Sequence, residues 1–239
     1  MSSQRFVEGL FPERYVEVDA ARLLLILTRF ARPIDNHVAT LRYRPPRPVE
    51  AYFTPEYYLQ KLDFLLRYPG YFIYELIELH RMGITAEIDR DETIAIVRTV
   101  LHNNEPELMT TLFRRFWYGT YERLDDVEGW WYGHELVYTR PEPRSGLRPQ
   151  KYYFLTALAF SEADRLVREV SHGRWYADRV ALIHRFFGRL SAAEVKQLQY
   201  SHQSYRQAQL NETIPDISYS EIAEHFANVF HEPLEEHRD

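Results

Sequence analysis

The chain carries ten histidines and 35 acidic residues, so acid–base and metal chemistry are the first possibilities to examine. Glu169 and His172 form the single Glu-x-x-His motif, whereas a diiron site needs two such motifs and two further glutamates. Glu221 and His225 stand one helical turn apart and can either share a metal ion or form an ordinary surface pair. His134-Glu135 is not followed by a second histidine four residues on. None of these spacings defines a metal site.

The absence of certain residues and motifs excludes several kinds of enzyme. There is no cysteine, so disulfides, thiol catalysis and thiolate zinc sites are excluded. No glycine-rich phosphate loop, no G-x-S-x-G and no paired-carboxylate signature is present. The adjacent acids Asp125 and Asp126 suit the start of a helix, where carboxylates meet the positive end of the helix dipole. We therefore expect a protein without catalytic residues, cofactor or metal.

Composition limits the remaining classes. With 45% hydrophobic and 15% aromatic residues, the 239-residue chain has the composition of an ordered globular protein. No run approaches the roughly 20 apolar residues that cross a bilayer, and the opening MSSQRFVEG lacks the zones of an export signal. We therefore predict a cytoplasmic protein without membrane contact. The net charge of −6 argues against coating of DNA through bulk charge, yet leaves room for a local basic patch.

The stretch from Leu124 to Val170 reads as a helix, a β-hairpin and a second helix. Residues His134–Thr139 alternate β-branched and aromatic side chains, and Lys151–Thr156 restores strand composition. Between them, Pro141, Pro143 and Gly146 are expected to interrupt any ladder and to form a flexible tip.

The following helix is predicted to begin at Ser161, which is a candidate N-cap followed by acidic residues. Its side chains Leu166, Val167 and Val170 are expected to face inward.

This order of elements resembles the winged helix-turn-helix superfamily over roughly residues 65–170. The run from Leu124 to Val137 looks like its last helix, and Tyr153–Thr156 with the helix after it looks like the strand and closing helix that follow the wing. The resemblance implies that the earlier helices are Tyr71–Met82, Asp91–Asn103 and Leu108–Trp117, one more than the simplest version needs.

The segments on either side are expected to be helical. Asp19 is a candidate N-cap for the apolar run Leu23–Leu27, and Thr54-Pro55-Glu56 is a helix start with a hydroxyl cap. Between them, Arg42–Pro48 combines prolines with three arginines. It can act as a docking peptide, as a phosphate-contacting arm or as a rigid connector, and proline's fixed φ suffices for the connector.

Near the C-terminal end of the sequence, two capping signals mark helix starts. Ser191–Glu194 forms a capping box for a polar helix that is expected to reach Leu210, and Ser218–Glu221 begins the last helix. We thus predict a mainly α fold with a small β-hairpin. Its three parts are an N-terminal helical segment with linker (1–48), a winged-helix-like domain (49–172) and a helical C-terminal region that is a candidate for dimerisation (173–239).

Charge is distributed unevenly over the winged-helix-like stretch. From Thr120 to Leu136 there are five acidic residues against Arg123 alone, so phosphates should repel the helix in the recognition position. The wing and the helix upstream are basic instead. If nucleic acid binds, we expect phosphate contacts from the arginines and the lysine of these two regions: Arg114, Arg115, Arg140, Arg144, Arg148 and Lys151.

Three adjacent aromatic residues, Trp130, Trp131 and Tyr132, occupy the same helix. Adjacent residues cannot all face one side of a helix, so at least one ring should be exposed. Such a ring can stack on a base, anchor a protein partner or pack against the wing.

Two hypotheses follow. The first is a non-enzymatic, DNA-associated regulator that binds double-stranded DNA through a basic wing and dimerises through its C-terminal region. The second is a helical interaction or scaffold protein in which the same module contacts protein. The arginines of the wing favour the first, and the acidic helix with its aromatic residues favours the second.

Overall fold

The computed structural model describes residues 16–39, 41, 43–84, 89–103, 115–116, 119–120, 123–144, 147–199, 202, 214 and 216–234. They form a mostly helical protein with a small four-stranded antiparallel sheet, which confirms the expected mainly α class with a small β component. The chain divides into two compact units, each discontinuous in sequence. Unit 1 comprises residues 1–54 and 123–170, and unit 2 comprises residues 55–122 and 171–239.

The helices and strands are numbered in chain order. The helices are α1 (Val16–Phe30), α2 (Asn36–Ala39), α3 (Glu56–Arg67), α4 (Pro69–Arg81), α5 (Arg90–His102), α6 (Asp125–Gly133), α7 (Ala157–Glu169), α8 (Gly173–Phe187), α9 (Ala192–Gln199) and α10 (Tyr219–Phe230). The strands are β1 (Arg32–Pro33), β2 (Ala51–Phe53), β3 (Arg115–Phe116), β4 (Gly119–Thr120), β5 (Val137–Arg144) and β6 (Leu147–Leu155).

Helix α1 buries the apolar run Leu23–Leu27, as predicted. The predicted start is wrong, because Asp19 lies inside the helix rather than at its N-cap. The Asp19 carboxylate pairs with Arg22 at 2.8 Å, and both side chains are buried. Because Arg22 neutralises Asp19 within the helix, Asp19 can lie inside it, and α1 begins at Val16.

Strands β5 and β6 form the predicted hairpin within a sheet of order β1-β2-β6-β5. The pairing runs further than predicted, because Pro141 stands opposite Lys151 and the strand continues to Arg144 after an irregularity that follows Glu142. The prediction that the prolines interrupt the ladder is therefore wrong for Pro141, whereas the irregularity in the pairing does fall at Pro143. β5 is an edge strand, where a missing N–H can point away from the neighbouring strand, and a bulge can absorb Pro143.

One face of the sheet is covered by Tyr43 of the predicted Arg42–Pro48 linker and by Leu41 and Val49 on either side of it. The cluster of buried side chains on this face comprises Val38, Tyr52, Tyr138, Tyr152 and Phe154. Tyr43 packs on Phe154 with ring centroids 4.9 Å apart, and Leu41 and Val49 pack against the same cluster. The Pro/Arg segment therefore contributes to the packing of unit 1.

The start of this covering segment is fixed by Asp35. Its carboxylate accepts hydrogen bonds from the backbone N–H of Val38 at 2.8 Å and from the hydroxyl of Tyr52 at 2.7 Å. Burial and the bond to Asp35 raise the pKa of Tyr52 to about 12.

Helices pack together on α1 in unit 1. Trp131 of α6 is fully buried, its indole N–H donates to the carbonyl of Ala20 at 3.1 Å, and its ring meets Tyr153 edge-on. Helix α1 contacts both α6 and α7. The hairpin therefore lies in a unit with α1, α6 and α7, whereas α4 and α5 belong to unit 2.

Helix α7 begins one turn before the predicted N-cap. The hydroxyl of Thr156 accepts a hydrogen bond from the backbone N–H of Ala159 and caps the helix. The assignment of Ser161 as N-cap is therefore wrong, because a hydroxyl residue at the end of β6 starts the helix earlier. Val170 is 47% exposed although we expected it to face inward, because α7 ends at Glu169 and Val170 follows it in an extended conformation.

Helix α3 is buried from Tyr58 to Arg67. Thr54 does not cap it. The Thr54 hydroxyl donates to the backbone carbonyl of Lys151 at 2.9 Å and accepts from the amide of Gln150 at 2.8 Å. The helix instead follows Pro55, which makes no side-chain cap.

Helix α4 is capped by a residue far away in the sequence. The Asp216 carboxylate accepts a hydrogen bond from the backbone N–H of Gly70 at 3.4 Å, and the N–H of Tyr71 also bonds to it. A side chain on Gly70 would place its Cβ 2.5 Å from Asp216 Oδ1, so glycine is required there. The helix ends before Gly83, whose φ of 71° fits the predicted helix end.

Helix α5 begins at Arg90, one residue before the expected start at Asp91. It is capped by Asp89, whose side chain accepts a hydrogen bond from the backbone N–H of Glu92. The predicted helix Leu108–Trp117 is wrong at its end, because Arg115–Phe116 is a strand paired with β4. Extended backbone suits the aromatic Phe116, and Thr120, the strand partner of Arg115, is β-branched. Residues 104–114 and 117 lie outside the described part of the chain.

Both C-terminal capping boxes are confirmed. Glu194 and Ser191 exchange hydrogen bonds at the start of α9, and Glu221 and Ser218 do so at the start of α10. Gly188 follows α8. Of the expected continuation of α9 to Leu210, only His202 lies within the described residues beyond Gln199.

Candidate functional site

Two of the six predicted phosphate-binding residues are engaged inside unit 1. Arg140 pairs with Glu142, and its guanidinium lies 5.5 Å from the centre of the Tyr43 ring. Lys151 Nζ lies 2.8 Å from Glu128 Oε1, and the lysine side chain is 24% exposed. Their charges are therefore balanced within the unit.

The side chains of the other four predicted basic residues lie outside the described part of the structure. The backbone of Arg144 stands opposite Leu147 at the tip of the hairpin, and that of Arg115 belongs to β3. Arg114 and the side chains of Arg115, Arg144 and Arg148 lie outside the described part of the structure.

Glu128 joins α6 to the hairpin, a role that the sequence analysis missed. Its carboxylate accepts hydrogen bonds from Lys151 at 2.8 Å, from the Tyr153 hydroxyl at 3.0 Å and, at the limit of bonding distance, from Thr139 at 3.5 Å. The sequence indicates only helix-start chemistry for the acidic first turn of α6. Nothing local indicates that one of its acids meets a lysine 23 residues later.

The three adjacent aromatic residues of α6 have three different environments. Trp131 is fully buried, so it is not available to a partner. Tyr132 is 57% exposed, which meets the expectation that one ring is exposed, and its edge rests on Tyr138. Trp130 is partly buried and stacks on His134, with ring centroids 3.9 Å apart. Only Trp130 and Tyr132 therefore remain as candidate contact residues.

Trp130 belongs to a surface that we call the α6/α7 patch, defined as Trp130, His134, Leu158 and Glu162. Leu158 is 48% exposed and lies one turn before Glu162 on α7. His134 is close enough to act on Glu162, although the main cause of that carboxyl's lowered pKa is its hydrogen bond with Arg165. The patch thus combines apolar and aromatic side chains with groups of both charges.

A strained residue ends α6. Glu135 has a φ of 58°, the left-handed region that usually holds glycine or asparagine after a helix. Its N–H bonds to the carbonyl of Tyr132, and the next N–H, from Leu136, bonds to the carbonyl of Trp131. Its carboxylate pairs with the exposed Arg47 at 2.8 Å. This junction fixes where the exposed end of α6 lies relative to β5.

The acidic start of α6 is exposed at Asp125 and Asp126, and Arg123 pairs with Asp125 at 2.9 Å. A negatively charged surface of this kind should repel phosphate.

The candidate metal pair of Glu221 and His225 is not brought together. Glu221 bonds to Ser218, whereas His225 Nε2 lies 2.9 Å from Glu78 Oε1 and the His225 ring stacks on Tyr74. Burial lowers the pKa of His225, and the Glu78 carboxylate partly offsets this effect. His225 therefore docks α10 on α4.

The described residues contain no group of three or more histidine, aspartate or glutamate side chains placed to hold a metal ion. None of the described helices has the length and apolar character needed to span a bilayer. No protein-family model matches the chain, and neither a curated protein nor a solved structure matches it.

Proposed function

We propose that this chain is a non-enzymatic protein-interaction protein and that unit 1 binds its partner through the α6/α7 patch. The proposal is carried by the exposed Leu158, one turn before Glu162 on α7, and by His134, which acts on Glu162 and stacks on Trp130. The described basic hairpin residues of the same unit, Arg140 and Lys151, are already paired. An aromatic and aliphatic centre with a charged rim is the usual anatomy of a protein interface.

The partner proposed first is a second copy of this chain. The patch and its rim carry His134 and Arg165 as well as Glu162, and a two-fold interface brings such a mixed surface against itself, so opposite charges can meet. The expectation from the sequence that residues 173–239 serve dimerisation stays a prediction.

The test is the molar mass in solution, measured by light scattering over a range of concentrations. Burial of a leucine side chain contributes about 1.5–3 kcal/mol. Because about half of Leu158 is already buried and a two-fold interface contains this side chain twice, Leu158→Ser should weaken the dimer by roughly tenfold or more. Val170→Ser is the matched control, since Val170 is equally exposed at the opposite end of α7 and lies outside the patch. A chain that is monomeric at every concentration contradicts the proposed partner.

The second candidate is a DNA-associated winged helix. It is supported by the strand order β2-β6-β5, by α6 before the hairpin and by α7 after it. Strand β2 pairs with β6 only from Tyr153 to Leu155, so the hairpin continues as a two-stranded ribbon towards Arg144. In this version α1, α6 and α7 form the helical body, in place of the helices expected from the sequence.

Gel shifts on random duplex at several salt concentrations test this candidate. Arg144→Ala with Arg148→Ala should flatten the salt dependence of binding, because a protein that touches fewer phosphates releases fewer counterions. Lys151→Met is the control and should leave the slope unchanged, since Lys151 is bound to Glu128. Duplex binding that is insensitive to the arginine substitutions, or no binding at all, counts against DNA.

A further inference from the structure

The interior of unit 2 contains a carboxyl group without a hydrogen-bond partner among the described residues. Glu75 lies on α4 and is 1% exposed. Neither of its carboxyl oxygens accepts a hydrogen bond from any described residue. An ionised carboxylate in such a place loses its hydration without compensation, which costs far more than burying the neutral acid.

The charged and titratable groups around α4 do not remove this cost. From α3, the buried ammonium of Lys61 acts on Glu75 and partly favours the charged form. The other buried charges of α3, Asp63 and Arg67, lie 3.5 Å from each other. Desolvation is the larger effect, and it raises the pKa of Glu75 well above its ordinary value.

Among the described residues of the other elements packed on α4, no second cation acts on Glu75. From α8, the buried guanidinium of Arg179 lies 6.0 Å from the centre of the Phe72 ring and donates a hydrogen bond to the carbonyl of Asn103. From α10, His225 bonds to Glu78, and Asp216 bonds to the first amides of α4. His202 packs edge-on against Tyr74. The buried side chains that α5 and α9 contribute are Thr93, Ile94, Val97, Val100, Val195 and Leu198, none of them ionisable.

We propose that Glu75 is a proton-linked switch in the core of unit 2: the unit folds around the neutral carboxyl, and loss of its proton loosens the packing of α3 against α4. The unfolded chain releases this proton in the ordinary glutamate range, whereas the folded unit keeps it to higher pH. The stabilisation is therefore complete at pH values below the ordinary glutamate pKa and is lost as pH rises towards the folded-state pKa.

The experiment is urea unfolding of the full chain at a series of pH values, with hydrogen exchange of α3 and α4 amides to localise the effect. Between the ordinary glutamate pKa and the folded-state pKa, the folded chain binds one proton more than the unfolded chain. The equilibrium constant for unfolding should therefore rise roughly tenfold per pH unit in this range. Glu75→Gln copies the neutral acid in shape, so this slope should disappear and the variant should be the more stable protein at alkaline pH. Glu224→Gln, an exposed acid of α10, is the control and should keep the wild-type slope.

A second measurement covers the case in which Glu75→Gln does not fold. The carboxyl carbon of Glu75 can be titrated by nuclear magnetic resonance in the wild-type chain, where it should change above the range of the exposed glutamates. Titration together with the exposed glutamates overturns the proposal, and so do parallel pH slopes for wild type and Glu75→Gln. Neither result depends on whether unit 1 binds a partner.

Discussion

Replacement of Glu128 by alanine should destabilise unit 1 by about 3 kcal/mol. The carboxylate is 13% exposed and accepts charge-assisted hydrogen bonds from Lys151 and Tyr153. Net hydrogen bonds to a charged group contribute about 1.5–3 kcal/mol each. We take the lower end for both, because the lysine is 24% exposed and regains part of its hydration when its partner is removed. Glu128→Gln keeps the shape and one acceptor, so it should cost about 1–2 kcal/mol.

The assay is urea unfolding with linear extrapolation, combined with amide exchange in β5 and β6 to assign the loss to unit 1. A double-mutant cycle with Lys151→Met isolates the pair. If the contact is as described, the double variant should lose about 1 kcal/mol less than the sum of the single variants. An alanine variant within about 0.5 kcal/mol of wild type, with an additive cycle, would refute the reasoning.

Three further substitutions test the packing, the capping and the strain described above. Trp131→Phe should cost about 2 kcal/mol in thermal unfolding, because a fully buried site loses volume and the bond to Ala20; an unchanged Tm would contradict this packing. Asp216→Ala should cost about 1 kcal/mol and speed amide exchange in the first turn of α4, because that turn loses its cap; exchange that stays slow would show that the cap is dispensable. Glu135→Gly should stabilise the chain by up to about 1 kcal/mol, since relief of the positive φ outweighs loss of the half-exposed ion pair with Arg47. A lower Tm for this variant would show that the ion pair contributes more than the strain costs.

Features that depend on neighbouring residues were predictable from the sequence. The capping boxes at Ser191 and Ser218 need only residues three apart, and both are present. The hairpin was predictable because the alternation of side chains lies on either side of a turn-rich segment. The core runs of α1 and α3 were equally local.

Features that depend on distant residues were not predictable. Thr54 and Thr156 are both hydroxyl residues before a helix, yet only Thr156 caps one, because Thr54 bonds to the β6 backbone instead. Strand β2 has three residues and no signal of its own until β6 is beside it. Lys151 is one of the six residues that we expected to contact phosphate. Its partner Glu128 lies on another element, so the sequence did not show that this lysine is already paired.

The interleaving of the two units has a consequence for synthesis on the ribosome. Ala51 of β2 pairs with Leu155 of β6, and the intervening chain belongs largely to unit 2. At roughly 5–20 residues per second, β2 waits on the order of ten seconds for its neighbour to be translated. During that time its aromatic side chains have only the two-residue strand β1 beside them, and truncation before residue 147 would leave a nascent strand open to chaperones or to aggregation.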